Sequence, residues 1–194
     1  MHKFTNKSGI IKSWINASTL NDWRDKFMMT TATSANAENS ITYGIDKNNK
    51  KMYLWFEHVI LKSLRKEFPE CELFFAHYMD SKTPLHIHCD TFPEKEDYTP
   101  YVSFLIPISV DNDAELCNNS STIILDPGTG DSNDYEKYFT HESVEKVSQY
   151  KIRQVLEWNK GDLLWWDSTL YHASNNFLKT NSSKQCIVIH TKIS

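Results

Sequence analysis

The sequence predicts a mainly β protein with flanking helices, an antiparallel sandwich or barrel, and three observations point there. At least five short runs of β-type residues follow Pro69, each bounded by Pro, Gly, Asn, Asp or Ser clusters. No regular helical pattern separates them, as βαβ units would require. The clearest helical stretch precedes them all. At 194 residues the chain is long enough for one sizeable core, so we read it as a single domain over 1–194. Residues 1–70 form a helical flank and support, and 71–194 form the β core.

The elements follow in order. Ser18-Thr19-Leu20-Asn21-Asp22-Trp23 is a capped start, and Leu20, Trp23 and Phe27 continue it at helical spacing. Thr30 to Ser40 is small and polar and reads as a loop. Tyr53 to Phe68 mixes Leu54, Val59, Leu61 and Leu64 with Lys62, Arg65 and Lys66, an apolar stripe beside a basic face, and Pro69 stops it. Strands are expected at Glu72–Tyr78, Leu85–Thr91, Tyr101–Val110, Thr122–Leu125, Asp162–Asp167 and Gln185–Lys192. Ser132 to Arg153 is polar and partly helical in pattern, an excursion between strands.

Composition removes several function classes. Only 5 glycines occur, at Gly9, Gly44, Gly128, Gly130 and Gly161, and neither GxGxxG nor GxxxxGK[ST] can be written from them. Loops that wrap backbone amides around a phosphate are thereby excluded. The formal net charge of -4 gives no support to nucleic acid as a partner, since that binding rests on neutralising phosphates. No run approaches the roughly 18 apolar residues of a membrane-spanning helix, and no apolar stretch near the N-terminus has signal-peptide length. Cys71, Cys89, Cys117 and Cys186 are widely spaced, without a CxxC pair. We therefore expect reduced thiols and a cytoplasmic location.

Two segments hold the chemistry. In Pro84-Leu85-His86-Ile87-His88-Cys89-Asp90, strand alternation puts His86, His88 and Asp90 on one face and Ile87 and Cys89 on the other. An imidazole and a carboxylate two residues apart can reach one metal ion, although two histidines and an aspartate also suit an ordinary wet face. The second segment is Gly161-Asp162-Leu163-Leu164-Trp165-Trp166-Asp167-Ser168-Thr169-Leu170-Tyr171-His172-Ala173-Ser174: a turn, an apolar strand, a polar bend and a histidine. Antiparallel pairing can bring His172 beside His88 and Asp90. Two histidines and one carboxylate occupy one face of an octahedral metal and leave the opposite positions open, the ligand set of non-haem Fe(II) oxygenases. A four-ligand structural zinc site leaves no such room.

These two segments together, HxD at His88 and Asp90 and GDLLWWDSTLYHAS ending beyond His172, resemble the Fe(II)- and 2-oxoglutarate-dependent dioxygenases, and within them the phytanoyl-CoA dioxygenase-like branch. The resemblance runs from about Leu73 to the C-terminus. It implies a double-stranded β-helix, a jelly-roll or cupin-like barrel with iron in its mouth. It implies Fe(II) held by His88, Asp90 and His172. It also implies a basic residue after the distal histidine to hold the far carboxylate of the cosubstrate 2-oxoglutarate. Lys184, 12 positions beyond His172, is in that place. Most of the branch has arginine there, and lysine pairs a carboxylate as a point charge without the bidentate fork. The usual Arg-x-Ser is Lys184-Gln185-Cys186, so the assisting hydroxyl comes from elsewhere, with Tyr78, Tyr101 and Ser103 as candidates.

The remaining polar residues receive plainer readings. His86 is a contact to substrate or to a ligand more than a fourth ligand. Asp167 shapes a turn or supports the site. One of Trp165 and Trp166 faces the barrel, and His2, His58, His77, His141 and His190 are ordinary histidines. Asp111-Asn112-Asp113 with Glu115 lacks the glycine and closing glutamate of a calcium loop and reads as a surface turn. The function implied is oxidation, as hydroxylation, of a small molecule or a side chain by O2, with succinate and CO2 as coproducts and no protein acid or base as a catalytic residue. Two rivals stand beside it. One is a cupin-type metalloprotein that does not use 2-oxoglutarate and has no need of Lys184. The other is a jelly-roll binding or structural module without enzymatic activity.

Overall fold

The computed structural model describes residues 3–21, 34–36, 40–45, 47, 50–91, 100–110, 120–177 and 184–193. The strands are β1 (Ser8–Ile11), β2 (Ser34–Asn36), β3 (Ser40–Gly44), β4 (Cys71–Ser81), β5 (Pro100–Val110), β6 (Ser121–Pro127), β7 (Tyr150–Glu157), β8 (Leu163–Asp167), β9 (Tyr171–Ser174) and β10 (Lys184–Ile193). They form a seven-stranded sheet in the order β1-β8-β5-β10-β4-β3-β2 and a three-stranded sheet in the order β7-β6-β9. Every pairing is antiparallel. A lone bridge between His88 and His172 extends the smaller sheet past β9. Two antiparallel sheets, between which the chain crosses from β5 to β6 and then at every step from β7 to β10, form the double-stranded β-helix expected.

Side-chain alternation divides the interior into three apolar layers. On β10, Ile187 and Ile189 face a helix lying on the outer side of the large sheet, and Cys186 and Val188 face the space between the sheets. That helix runs through α1 (Lys50–Trp55), a π-helical stretch (Phe56–Leu61) and α2 (Lys62–Glu67), and buries Met52, Phe56, Ile60 and Leu64 against Tyr78, Phe104 and Ile106. The inner layer contains Met79, Leu105, Leu164, Trp166 and Val188. A third layer lies outside the small sheet, where α3 (Ser132–Tyr138) and α4 (Val144–Val147) help cover Ile87, Ile123, Leu125 and Ala173.

Several elements differ from the sequence reading. The N-terminal flank supplies strand: β1 pairs with β8, setting Gly9 opposite Trp165, and β2 and β3 continue the large sheet beyond β4. Gly9 leaves room for the Trp165 ring, because a Cβ there would stand 2.9 Å from it. These strands are short, and β1 is half-buried along its length, so alternation is a weak signal for it. The excursion after Ser132 is helical only to Val147 and returns as β7, whose half-buried residues also mask the period. Leu85–Thr91 is not a strand; it bends at Ile87 and pairs only at His88. The capped start near Ser18 is a helical turn over 17–21, and the rest of that helix lies outside the described residues, as do Cys117, His2 and the 111–115 turn. Gly161 opens the strand leading toward His172 at φ 89°, and a Cβ there would lie 2.5 Å from the Ile15 carbonyl oxygen. Cys71, Cys89 and Cys186 are free thiols.

Candidate metal centre

Backbone pairing assembles the site. His88 and His172 exchange N–H···O bonds of 3.0 and 2.8 Å, and the Asp90 N–H donates to the Ser168 carbonyl at 2.9 Å. The segment bearing HxD is thus stitched along the chain that delivers His172. One ligand atom from each of His88, Asp90 and His172 lies within 4.8 Å of the others. His88 Nε2 stands 3.8 Å from Asp90 Oδ1, and His172 Nε2 stands 3.5 Å from Asp90 Oδ2.

The tautomers are set for a metal. His88 Nδ1 is 2.6 Å from the His86 carbonyl oxygen, and His172 Nδ1 is 3.1 Å from that of Leu170. A carbonyl accepts, so each Nδ1 bears the proton and each Nε2 presents its lone pair toward the carboxylate. Burial pushes the His172 imidazolium down to about 4 although Asp90 opposes it, which leaves a neutral imidazole. Burial would raise the Asp90 carboxyl, but His172, His190 and His88 beside it and a hydrogen bond from Ser103 hold it well below the usual carboxylate range. Two neutral imidazoles and one carboxylate are the forms that bind a divalent cation. The donor set fits such an ion on one open face.

A cavity of about 200 Å³ opens onto this triad. Met79, Leu105, Val188, Trp158 and Trp166 make its apolar wall, with Thr122 and Ser174 at its polar edge. Trp166 faces the barrel and donates its indole N–H to Asp90 Oδ2 at 3.1 Å, whereas Trp165 packs under the helix. His77 and His190 also line the cavity, which corrects their reading as ordinary histidines. His190 Nδ1 is 3.9 Å from Asp90 Oδ2 and 3.4 Å from Ser103 Oγ. His190 is buried and His77 half-buried, and desolvation is the main cause lowering both pKa values, that of His77 to about 3. The signal in the sequence was their alternation: His190 shares the inward face of β10 with Val188, and His77 shares that of β4 with Met79.

His86 does not share the face of His88. The bend at Ile87 turns it outward, where its Nδ1 lies 3.2 Å from Glu142 Oε1. Asp167 shapes the turn, its Oδ1 accepting from the Thr169 N–H and hydroxyl and its Oδ2 from the Asn6 N–H. Tyr78 and Tyr101 belong to the layer under the helix and Ser103 sits at Asp90, so none of the three is placed to assist Lys184. Lys184 is fully buried, with Nζ 2.7 Å from Asn175 Oδ1, 4.8 Å from the Trp158 ring centroid and 4.5 Å from that of Phe177. Among the described residues no carboxylate pairs with it, and burial lowers its pKa to about 7.

No family model matches the chain, and no curated protein is similar to it in sequence. Solved structures are similar in three dimensions. HygX from Streptomyces hygroscopicus, known with nickel and 2-oxoglutarate bound, superposes at a TM-score of 0.65 with 11% identity over 98% of this chain and 84% of its own. The chain has the fold of the 2-oxoglutarate-dependent oxygenases. A Pseudomonas putida prolyl-4-hydroxylase gives 0.59 and 10% over 98% and 94%. A 2OG-Fe(II) oxygenase family protein from Burkholderia pseudomallei gives 0.60 and 8% over 95% and 84%. The likeness spans the flank as well as the β core. Among the described residues, no helix is long and apolar enough to cross a membrane.

Proposed function

We propose that this protein is an Fe(II)- and 2-oxoglutarate-dependent dioxygenase that oxidises a small molecule or a side chain. The observation that supports this reading is the convergence of His88, Asp90 and His172, with both Nε2 lone pairs free, at one end of a cavity in an oxygenase fold. The iron, loaded with 2-oxoglutarate and O2, would supply the oxidising power, with succinate and CO2 as coproducts. HygX and the nogalamycin-pathway epimerase SnoN, known with 2-oxoglutarate and with hygromycin B or a nogalamycin compound bound, make a small-molecule substrate the natural comparison.

The chain's own residues bind, orient and exclude water. His88, Asp90 and His172 would hold the metal, and the Trp166 indole N–H orients the Asp90 carboxylate through Oδ2. Lys184 holds the far carboxylate of 2-oxoglutarate. It is a buried cation beside the cavity wall, with no carboxylate paired to it among the described residues, and such a charge is costly until an anion arrives. The Thr122 hydroxyl, which accepts the Trp158 indole N–H at 2.9 Å and lines the cavity, is the hydroxyl best placed to assist it. Trp158, Met79 and Leu105 keep the reacting volume dry. The cupin alternative loses its HxH ligand pair, because His86 points to Glu142.

Anaerobic addition of Fe(II) and 2-oxoglutarate tests the reading through the metal-to-ligand charge-transfer absorption. The wild type is expected to show the band, Asp90→Ala and His172→Ala to lack it, and Lys184→Ala to need more 2-oxoglutarate to reach it. A folded wild type without the band overturns the proposal. Succinate formation then screens candidate substrates.

A further inference from the structure

Glu142 lies in the connection between α3 and α4, 54 positions beyond His88 in the sequence, and its side chain is only 4% exposed. Oε1 accepts the Ile87 N–H at 2.7 Å and faces His86 Nδ1 at 3.2 Å, while both oxygens meet the Lys146 ammonium at 3.2–3.3 Å. The Ile87 N–H belongs to the same peptide unit as the His86 carbonyl. That carbonyl accepts the proton of His88 Nδ1 at 2.6 Å. A buried carboxylate, one peptide plane and the metal-facing imidazole therefore stand in series. The carboxylate bond fixes the plane, and the plane fixes the tautomer and direction of His88.

The local backbone needs such an anchor. Residues 84–87 are outside any strand, and the segment pairs along its length only at His88 and, through single bonds, at Leu85 and Asp90. His88 is the most exposed of the three metal-facing residues. The helical excursion that presents Glu142 is itself tied down by Gly128 N–H to the Gln149 carbonyl, Gly130 N–H to that of Ser148 and Asn176 N–H to that of Tyr138.

We propose that Glu142 is a positioning residue for the metal ligand His88, acting through the His86–Ile87 peptide plane. The inference rests on the metal reading of the triad. Partners that orient a ligating imidazole are worth about 10- to 100-fold in metal affinity. The carboxylate here sits one peptide further out than in a direct carboxylate–imidazole pair, and it reaches a ligand far from it in sequence.

Cobalt(II) alone, titrated into the apoprotein and followed by its visible absorption, is the probe. Wild-type protein is expected to bind one ion in a manner lost in His172→Ala, and Glu142→Ala to bind about 10-fold or more weakly with an altered spectrum. Glu142→Gln retains an oxygen at the same reach for the Ile87 N–H and is expected to rank above Glu142→Asp, which keeps the charge but is one methylene too short. That ranking decides the question even if the alanine variant does not fold. Ser143→Ala, which removes the hydroxyl that caps α4 at the Lys146 N–H, loosens the same region and is expected to bind cobalt as the wild type does. Equal affinity in the wild type and Glu142→Ala, Asp ranking at or above Gln, or a Ser143→Ala loss as large as that of Glu142→Ala would each overturn the inference. A wild type that binds no cobalt through His172 would remove the metal reading and this inference with it.

Discussion

The Trp166 indole N–H donates to Asp90 Oδ2 at 3.1 Å inside the barrel, joining the last apolar strand of the motif to the carboxylate of HxD. These two residues are 76 positions apart. The bond restrains the carboxylate, with Oδ1 toward His88 and Oδ2 toward His172. Trp166→Phe keeps an aromatic wall and deletes the donor. It should weaken cobalt(II) binding by about 10-fold and cost about 2 kcal/mol in urea unfolding, and unchanged cobalt affinity would show that Asp90 needs no such restraint.

Asp167 neighbours Trp166 yet serves the turn. Its oxygens accept from Thr169 and from the Asn6 N–H, tying the N-terminal segment to the bend before His172. Asp167→Ala should lower stability by about 1–3 kcal/mol while the folded protein binds one metal ion as before. Loss of the ion from a folded variant would make Asp167 a ligand.

Lys184 should be a liability until an anion reaches it. Burial lowers its pKa to about 7, from 10.5 in an open chain, so at neutral pH and below the folded state bears the cost of an enclosed charge. Lys184→Met should unfold at higher urea than the wild type at pH 7. As pH rises from 7 to 10.5 the unfolded wild-type chain holds the proton that the folded one has lost, so wild-type stability climbs and the advantage of methionine shrinks. Metal with 2-oxoglutarate should stabilise the wild type more than Lys184→Met. A Lys184→Met protein less stable than the wild type without ligand would contradict this.

His77 predicts the acid side. Its pKa is lowered from 6.5 to about 3, chiefly by burial and then by His190, so it is neutral in the folded protein. Below pH 6.5 the unfolded chain takes up a proton that the folded one refuses, and stability falls as pH drops toward 3. His77→Phe retains a ring beside Phe75 and His190 and removes the proton site. Urea midpoints measured from pH 7 to 4 should fall less steeply for this variant, and parallel curves would assign the slope to other groups.

Much of the site was legible in the sequence because His88, Asp90 and His172 sit in two local motifs. HxD needs only adjacent chain, and GDLLWWDSTLYHAS delivers its histidine by a strand and a turn, both set by nearby residues. His190 and His77 were missed: alternation sets them on the inward faces of their strands, but each is a lone histidine whose partners are distant in the chain. Thr122 was missed for the same reason: its hydroxyl accepts from the Trp158 indole, against whose ring Lys184 packs, and those contacts join segments far apart in the chain. The strand reading of Leu85–Thr91 failed because alternation assumes straight chain, and the bend at Ile87 that buries its side chain against Ile123 and Leu125 is a tertiary contact.

By itself, then, the sequence determined the mainly antiparallel architecture, the lack of a phosphate-binding glycine motif and the two motifs whose His88, Asp90 and His172 converge. Those properties follow from alternation, turn residues and ligand type, which act over a few residues. Only the tertiary structure decided which nitrogen of each histidine faces the centre, that Trp166 restrains Asp90, that Lys184 lies buried against Trp158 and Phe177 and that Glu142 reaches the peptide before His88. Each of these depends on hydrogen bonds or burial between segments far apart in the chain, and closing the two sheets is what brings those segments together.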